Sequence, residues 1–95
     1  MEERIMTQHP DGKQGVNILT RRYTAIRIAI LSELRERGEM TFKDLMARLT
    51  ERLADSFDGK VGWYVVTVKL DLEARGTIER IPGKSPQRLR LAAAN

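Results

Sequence analysis

The stretch Val61-Gly62-Trp63-Tyr64-Val65-Val66-Thr67-Val68-Lys69-Leu70-Asp71-Leu72-Glu73-Ala74-Arg75-Gly76 admits two readings, and the choice between them decides the fold. Its first ten residues are rich in β-branched and aromatic side chains, which favour a strand. Against that, Val61, Val65, Val68 and Leu72 recur at three- and four-residue steps. Leu72-Glu73-Ala74-Arg75 are good helix formers, and Gly76 follows where a left-handed cap belongs. The spacing predicts a helix that ends at Gly76.

Two more helices are predicted upstream. Thr20 is the expected N-cap of the first, along which Tyr23, Ile26, Ile30 and Leu34 form the inward stripe, Leu31 widens it and Gly38 closes it. Arg21 and Arg22 then sit at the positive end of the helix dipole, a mildly unfavourable placement unless an anion or acidic partner lies nearby, and solvation alone is the expected remedy. The second helix opens at Thr41, with Asp44 three residues on as in a capping box, and buries Phe42, Leu45, Met46, Leu49 and Leu53. Ala54-Asp55-Ser56-Phe57-Asp58-Gly59 breaks the period and is a loop. Asp55 and Asp58 lack the alternating spacing of calcium ligands and are expected to cap.

Beyond Gly76, Thr77-Ile78-Glu79-Arg80-Ile81 and Gln87-Arg88-Leu89-Arg90-Leu91 alternate about Pro82-Gly83-Lys84-Ser85-Pro86, the pattern of an antiparallel hairpin. Leu89 and Leu91 share the inward face, and Arg88 and Arg90 point out. At the other end, His9-Pro10 and Asp11-Gly12-Lys13 are turn signals in an aperiodic arm, followed by a short strand over Val16-Asn17-Ile18-Leu19. The expected organisation is α+β, with an arm over residues 1–19 and one domain over 20–95.

Ninety-five residues suit one small core. There is no cysteine and one histidine, so a disulfide framework, a thiolate nucleophile and the usual zinc sites are excluded. The first residues lack the pattern of a secretory signal, and no apolar run approaches the roughly 20 residues of a membrane span; a cytoplasmic location is expected. The net charge of +4 is uneven: residues 77–95 hold Arg80, Lys84, Arg88 and Arg90 against Glu79 alone. Such a block either attracts polyanions or is simply a solvated surface. Asp58-Gly59-Lys60-Val61-Gly62 lacks the spacing of a P-loop, and His9 has no partners for a catalytic triad, so neither enzyme chemistry nor a cofactor, metal or small-molecule ligand is expected.

Three helices followed by a basic hairpin is the order of the winged helix-turn-helix, and Leu72-Glu73-Ala74-Arg75-Gly76-Thr77-Ile78-Glu79-Arg80 resembles the recognition-helix end and first wing strand of bacterial winged-helix transcription regulators. This likeness covers about residues 20–91. The whole chain, with His9-Pro10-Asp11-Gly12-Lys13 and Gly62-Trp63-Tyr64, also resembles a group of short bacterial proteins of unknown function. The winged-helix resemblance implies a third helix in the major groove of double-stranded DNA, through Lys60, Trp63, Tyr64, Thr67 and Asp71. It also implies a wing touching phosphates through Arg80, Lys84, Ser85, Gln87 and Arg88, with the backbone N–H groups near Thr41 and Phe42 as a further phosphate contact.

The helix face opposite the inward stripe carries Trp63, Val66, Thr67, Leu70 and Ala74, almost devoid of the Arg, Lys, Asn and Gln that read bases. Tyr64 and Thr67 are left to supply limited base readout. Three occupants fit the apolar face: the arm or wing folded back, a homodimer or other protein partner, or DNA itself. The leading expectation is a small DNA-binding or transcription-associated protein whose wing neutralises about two to four phosphates. The alternative is a winged helix used for protein association through Trp63, Val66 and Leu70, without sequence-specific DNA binding.

Overall fold

The computed structural model describes residues 2–83 and 85–93. In chain order its elements are β1 (Arg4–Met6), β2 (Asn17–Leu19), α1 (Thr20–Arg37), β3 (Glu39–Thr41), α2 (Phe42–Leu53), α3 (Val61–Ala74), β4 (Ile78–Arg80) and β5 (Arg88–Leu91). The architecture is α+β, three helices with two small antiparallel sheets.

The helical reading of the deciding stretch holds. Val65, Val68 and Leu72 are fully buried along α3, and Gly76 takes a φ of 75° that only glycine adopts freely. The N–H of Thr77 donates to the Leu72 carbonyl at 2.9 Å and that of Gly76 to the Glu73 carbonyl at 3.1 Å, the paired bonds of a Schellman cap. In α2 the Thr41 hydroxyl accepts from the Asp44 N–H at 3.1 Å, the expected cap.

The start of α1 differs by one residue from expectation. Leu19 holds the N-cap position without a side-chain bond, and Thr20 is already helical. The strand ladder explains the shift: Leu19 still pairs with Arg4, and the Thr20 N–H donates to the Glu3 carbonyl at 2.9 Å. The first amide of the helix is satisfied by the arm.

The three-stranded sheet has the order β3-β5-β4. Leu89, at its centre, faces Met40 on one side and Arg80 on the other. Leu89, Met40 and Ile78 are buried with Ile26, Ile30, Leu34, Leu45, Leu49 and the α3 stripe in one core. The strand β3 has no counterpart in the sequence reading, because three residues between two helices are too few to show a period of two.

The arm is built into the fold. β1 and β2 pair in antiparallel fashion, Ile18 enters the core and Ile5 packs on it. The loop between them closes where the Thr7 N–H donates to the Val16 carbonyl at 2.8 Å and the Val16 N–H to the Thr7 hydroxyl at 2.9 Å. A Cβ at Gly15 would lie 1.8 Å from the Thr7 carbonyl oxygen, so only glycine permits this closure.

Two buried carboxylates tie the elements together. Asp71 of α3 accepts from the Tyr23 hydroxyl of α1 at 2.5 Å, from the Gln8 N–H of the arm at 2.8 Å and from Arg75 Nε at 2.8 Å. Glu33 of α1 meets Arg37 at 3.4 Å and Arg48 and Arg52 of α2 at 3.3 Å each. Burial by itself would raise the Glu33 carboxyl, but Arg48 and then Arg37 outweigh it, holding its pKa below the ordinary 4.5. No helix among the described residues is long and apolar enough to cross a membrane.

Candidate functional site

The start of α3 carries an aromatic ladder. Phe57 stands edge-on to Tyr64 at 5.2 Å between ring centroids, and Tyr64 edge-on to Trp63 at 4.8 Å. Arg22 Nη1 donates to the Tyr64 hydroxyl at 2.9 Å, and its guanidinium lies 5.7 Å from the centre of that ring. Gly59 makes room for the ladder, since a Cβ there would fall 2.8 Å from the Tyr64 ring and 3.0 Å from the Phe57 ring. Between the starts of α1 and α3 lies an open cleft of about 410 Å³ lined by Arg22, Gly59, Lys60, Trp63 and Tyr64.

The charges at this end are organised differently from expectation. Asp58 does not cap α3, whose N-cap residue Lys60 makes no side-chain bond. Instead it bridges Arg21 at 2.9 Å and Arg22 at 3.2 Å, while Glu2 binds Arg21 at 2.6 Å. The arginines at the positive end of α1 are thus answered by acidic partners as well as by water. Arg22 first, then Arg21, hold the Asp58 carboxyl below its ordinary 3.8.

The apolar face of α3 is divided. Thr67 and Leu70 are half-buried and share a small cleft of about 100 Å³ with Thr7, Gln8, His9, Gln14, Gly15 and Val16 of the arm. Trp63 and Val66 remain 48% and 40% exposed. His9 is half-buried at this cleft and accepts from the Asp11 N–H at 3.1 Å through Nδ1. Asp71, assigned to the groove-facing side by resemblance, is fully buried in the junction with Tyr23 and Gln8. Val68 to Asp71 is a three-residue step along the inward stripe, and that step was the available signal.

The hairpin carries its cations on two sides. Arg80 pairs in register with buried Leu89 and reaches Glu73 of α3, whereas Arg88 and Arg90 occupy the alternate positions of β5. Arg88 meets Glu39 at 3.5 Å and Arg90 meets Glu79 at 3.4 Å, pairs whose side chains are all roughly half exposed. Water screens such pairs, leaving them exchangeable for other anions. Ser85 is exposed, and Lys84 lies outside the described residues. Gln87 is half-buried and its carbonyl accepts the Phe42 N–H at 3.2 Å. That bond and the Thr41 cap on Asp44 occupy two of the amides at the start of α2, where a phosphate contact was expected.

Among the described residues no group of three or more His, Cys, Asp or Glu side chains converges as metal ligands would.

Residues 4–89 match the model of a family of unknown function, DUF6958. The chain belongs to that family. The DUF6958 match begins with β1 and runs into β5, so it takes in the arm together with the three helices and the hairpin. No curated protein and no solved structure matches the chain.

Proposed function

We propose that this DUF6958 chain is a winged-helix domain that binds double-stranded DNA chiefly through phosphates. The observation that carries the reading is the topology. A short strand between α1 and α2 joins the hairpin after α3 in a sheet ordered β3-β5-β4, which places a cation-bearing hairpin beside α3. Base readout is limited on this reading, because Asp71 is buried, the Tyr64 hydroxyl is engaged by Arg22 and the arm shares a cleft with Thr67. Arg88 and Arg90 would exchange exposed carboxylate partners for phosphates, and Arg80, half exposed itself, would offer the N–H groups its bond to the buried Glu73 leaves over.

Titrating a mixed-sequence duplex at several salt concentrations tests this. Two to four phosphates neutralised give a slope of about −2 to −4 in log affinity against log salt. The double variant Arg80→Ala with Arg88→Ala should flatten that slope by about 2. Unmeasurable binding at low salt would sink the reading.

The adjacent exposure of Trp63 and Val66, one turn apart on α3, favours a second reading, a homodimer formed through Trp63, Val66 and Leu70. Sedimentation should then give twice the chain mass, reverting to one on Val66→Glu with the helical circular-dichroism signal intact. A monomer at every concentration rejects the homodimer.

A further inference from the structure

We propose that the cleft between the starts of α1 and α3 binds a nucleotide unit, its unpaired base stacked on Trp63 and its phosphate held by Lys60 with Arg21 and Arg22. This goes beyond the duplex reading, whose cations lie on the hairpin, and does not rest on it.

Three features converge on that chemistry. The first is a ring kept wet yet firmly placed. Trp63 is nearly half exposed, while its neighbour Tyr64 is wedged by Phe57 and tied down by Arg22. A large ring held on one edge with free surface elsewhere has the form of a stacking platform, and base–aromatic stacking tolerates any base.

The second is the arrangement of charge. Lys60 is exposed and immediately precedes α3, whose first turn holds no acidic side chain. Arg21 and Arg22 converge on the Asp58 carboxylate, which is half exposed. That carboxylate occupies the place of an anion between two guanidiniums, and a phosphate, with more charge and more acceptor oxygens, competes for the same donors. The distance from cation to ring matters as much as the charge: Lys60 and Trp63 both line this one cleft, with Arg22 beside them.

The third is size and openness. About 410 Å³ falls within the range of small-ligand sites, and the cleft opens to solvent. Either a free mononucleotide or one unit of a single strand presents the required ring and phosphate.

Trp63 is the chain's single tryptophan, so its fluorescence reports on this cleft alone. The protein would be titrated at low salt with a fifteen-residue thymidine single strand, with thymidine monophosphate and with a mixed duplex. Stacking predicts that the strand or the mononucleotide quenches the emission. Lys60→Ala should weaken apparent affinity three- to tenfold with the same final quench. Lys13→Ala, a cation in the arm, should leave it unchanged. For Trp63→Leu, anisotropy of a labelled strand should show about a tenfold loss, in line with the stacking energy of one base; circular dichroism confirms that each variant is folded.

Strand binding much tighter than the mononucleotide identifies a single strand as the ligand, and equal affinities identify the free nucleotide. Absence of quenching by both overturns the proposal. Duplex binding by anisotropy, with no quenching by the strand or the mononucleotide, would overturn it while upholding the duplex reading, and strand quenching without duplex binding does the reverse.

Discussion

Asp71→Ala is expected to lower the unfolding free energy by about 3–5 kcal/mol, because it leaves the Tyr23 hydroxyl and the Gln8 amide unpaired at about 1–3 kcal/mol each and gives up the ion pair with the partly exposed Arg75. Asp71 has no exposed surface, and three groups from three parts of the chain donate to it: the Tyr23 hydroxyl, the Gln8 amide and the Arg75 guanidinium. Alanine would leave all three without their acceptor. Burial first, and then the bond to Asp71, push the Tyr23 phenol up to about 12, so at neutral pH it is protonated and able to donate. Domains of this size unfold at about 5–15 kcal/mol in total, so such a loss is a large share of the whole. The urea midpoint measures it. Asp71→Asn, which keeps one acceptor oxygen and gives up the charge, should fall between the wild type and alanine. A change below about 1 kcal/mol for alanine would show that the junction does not bind the arm to α1 and α3.

Glu33→Ala is expected to cost less, about 1–3 kcal/mol at neutral pH, because its arginine partners are all nearly half exposed and water screens them. Its distinctive mark is pH dependence. The folded carboxyl has its pKa below 4.5, so the unfolded chain takes up the proton first as pH falls. The stabilisation is full above about pH 4.5 and drains away as pH drops through the lower folded value. Urea curves for wild type and Glu33→Ala should therefore converge between neutral pH and pH 3. Parallel curves, with an unchanged gap at pH 3, would assign the effect to lost packing.

These two carboxylates also mark where sequence reading stops. The helices were legible because each has an apolar stripe, ended in α1 and α3 by Gly38 and Gly76, and the hairpin because strict alternation brackets two prolines. Glu33 and Asp71 each stand three residues beyond a stripe residue, Ile30 and Val68, but a place on the stripe does not name the partners a buried carboxylate needs. Their burial depends on Arg48, Arg52 and Gln8, partners 15 to 63 residues distant that no local period records. β3 was hidden for a related reason: Met40 enters the core by pairing with Leu89, a long-range choice. The apolar side of α3 was legible in composition, but its division was not. The arm that shares a cleft with Thr67 and Leu70 is held there by the Gly15 closure and the Gln8 amide, whereas Trp63 and Val66 are left to solvent.

The order β3-β5-β4 sets a timetable for the nascent chain. The central strand of the sheet is the last of the three to leave the ribosome, so neither β3 nor β4 has a hydrogen-bonding neighbour until Arg88–Leu91 emerges. At synthesis rates of about 5–20 residues per second, Met40 waits some seconds for Leu89, beside helices that can already form. Closure of the core is therefore a late event that joins residues nearly fifty positions apart, and long-range pairings of this kind slow folding. Truncation before Arg88 would remove the partner of both edge strands at once.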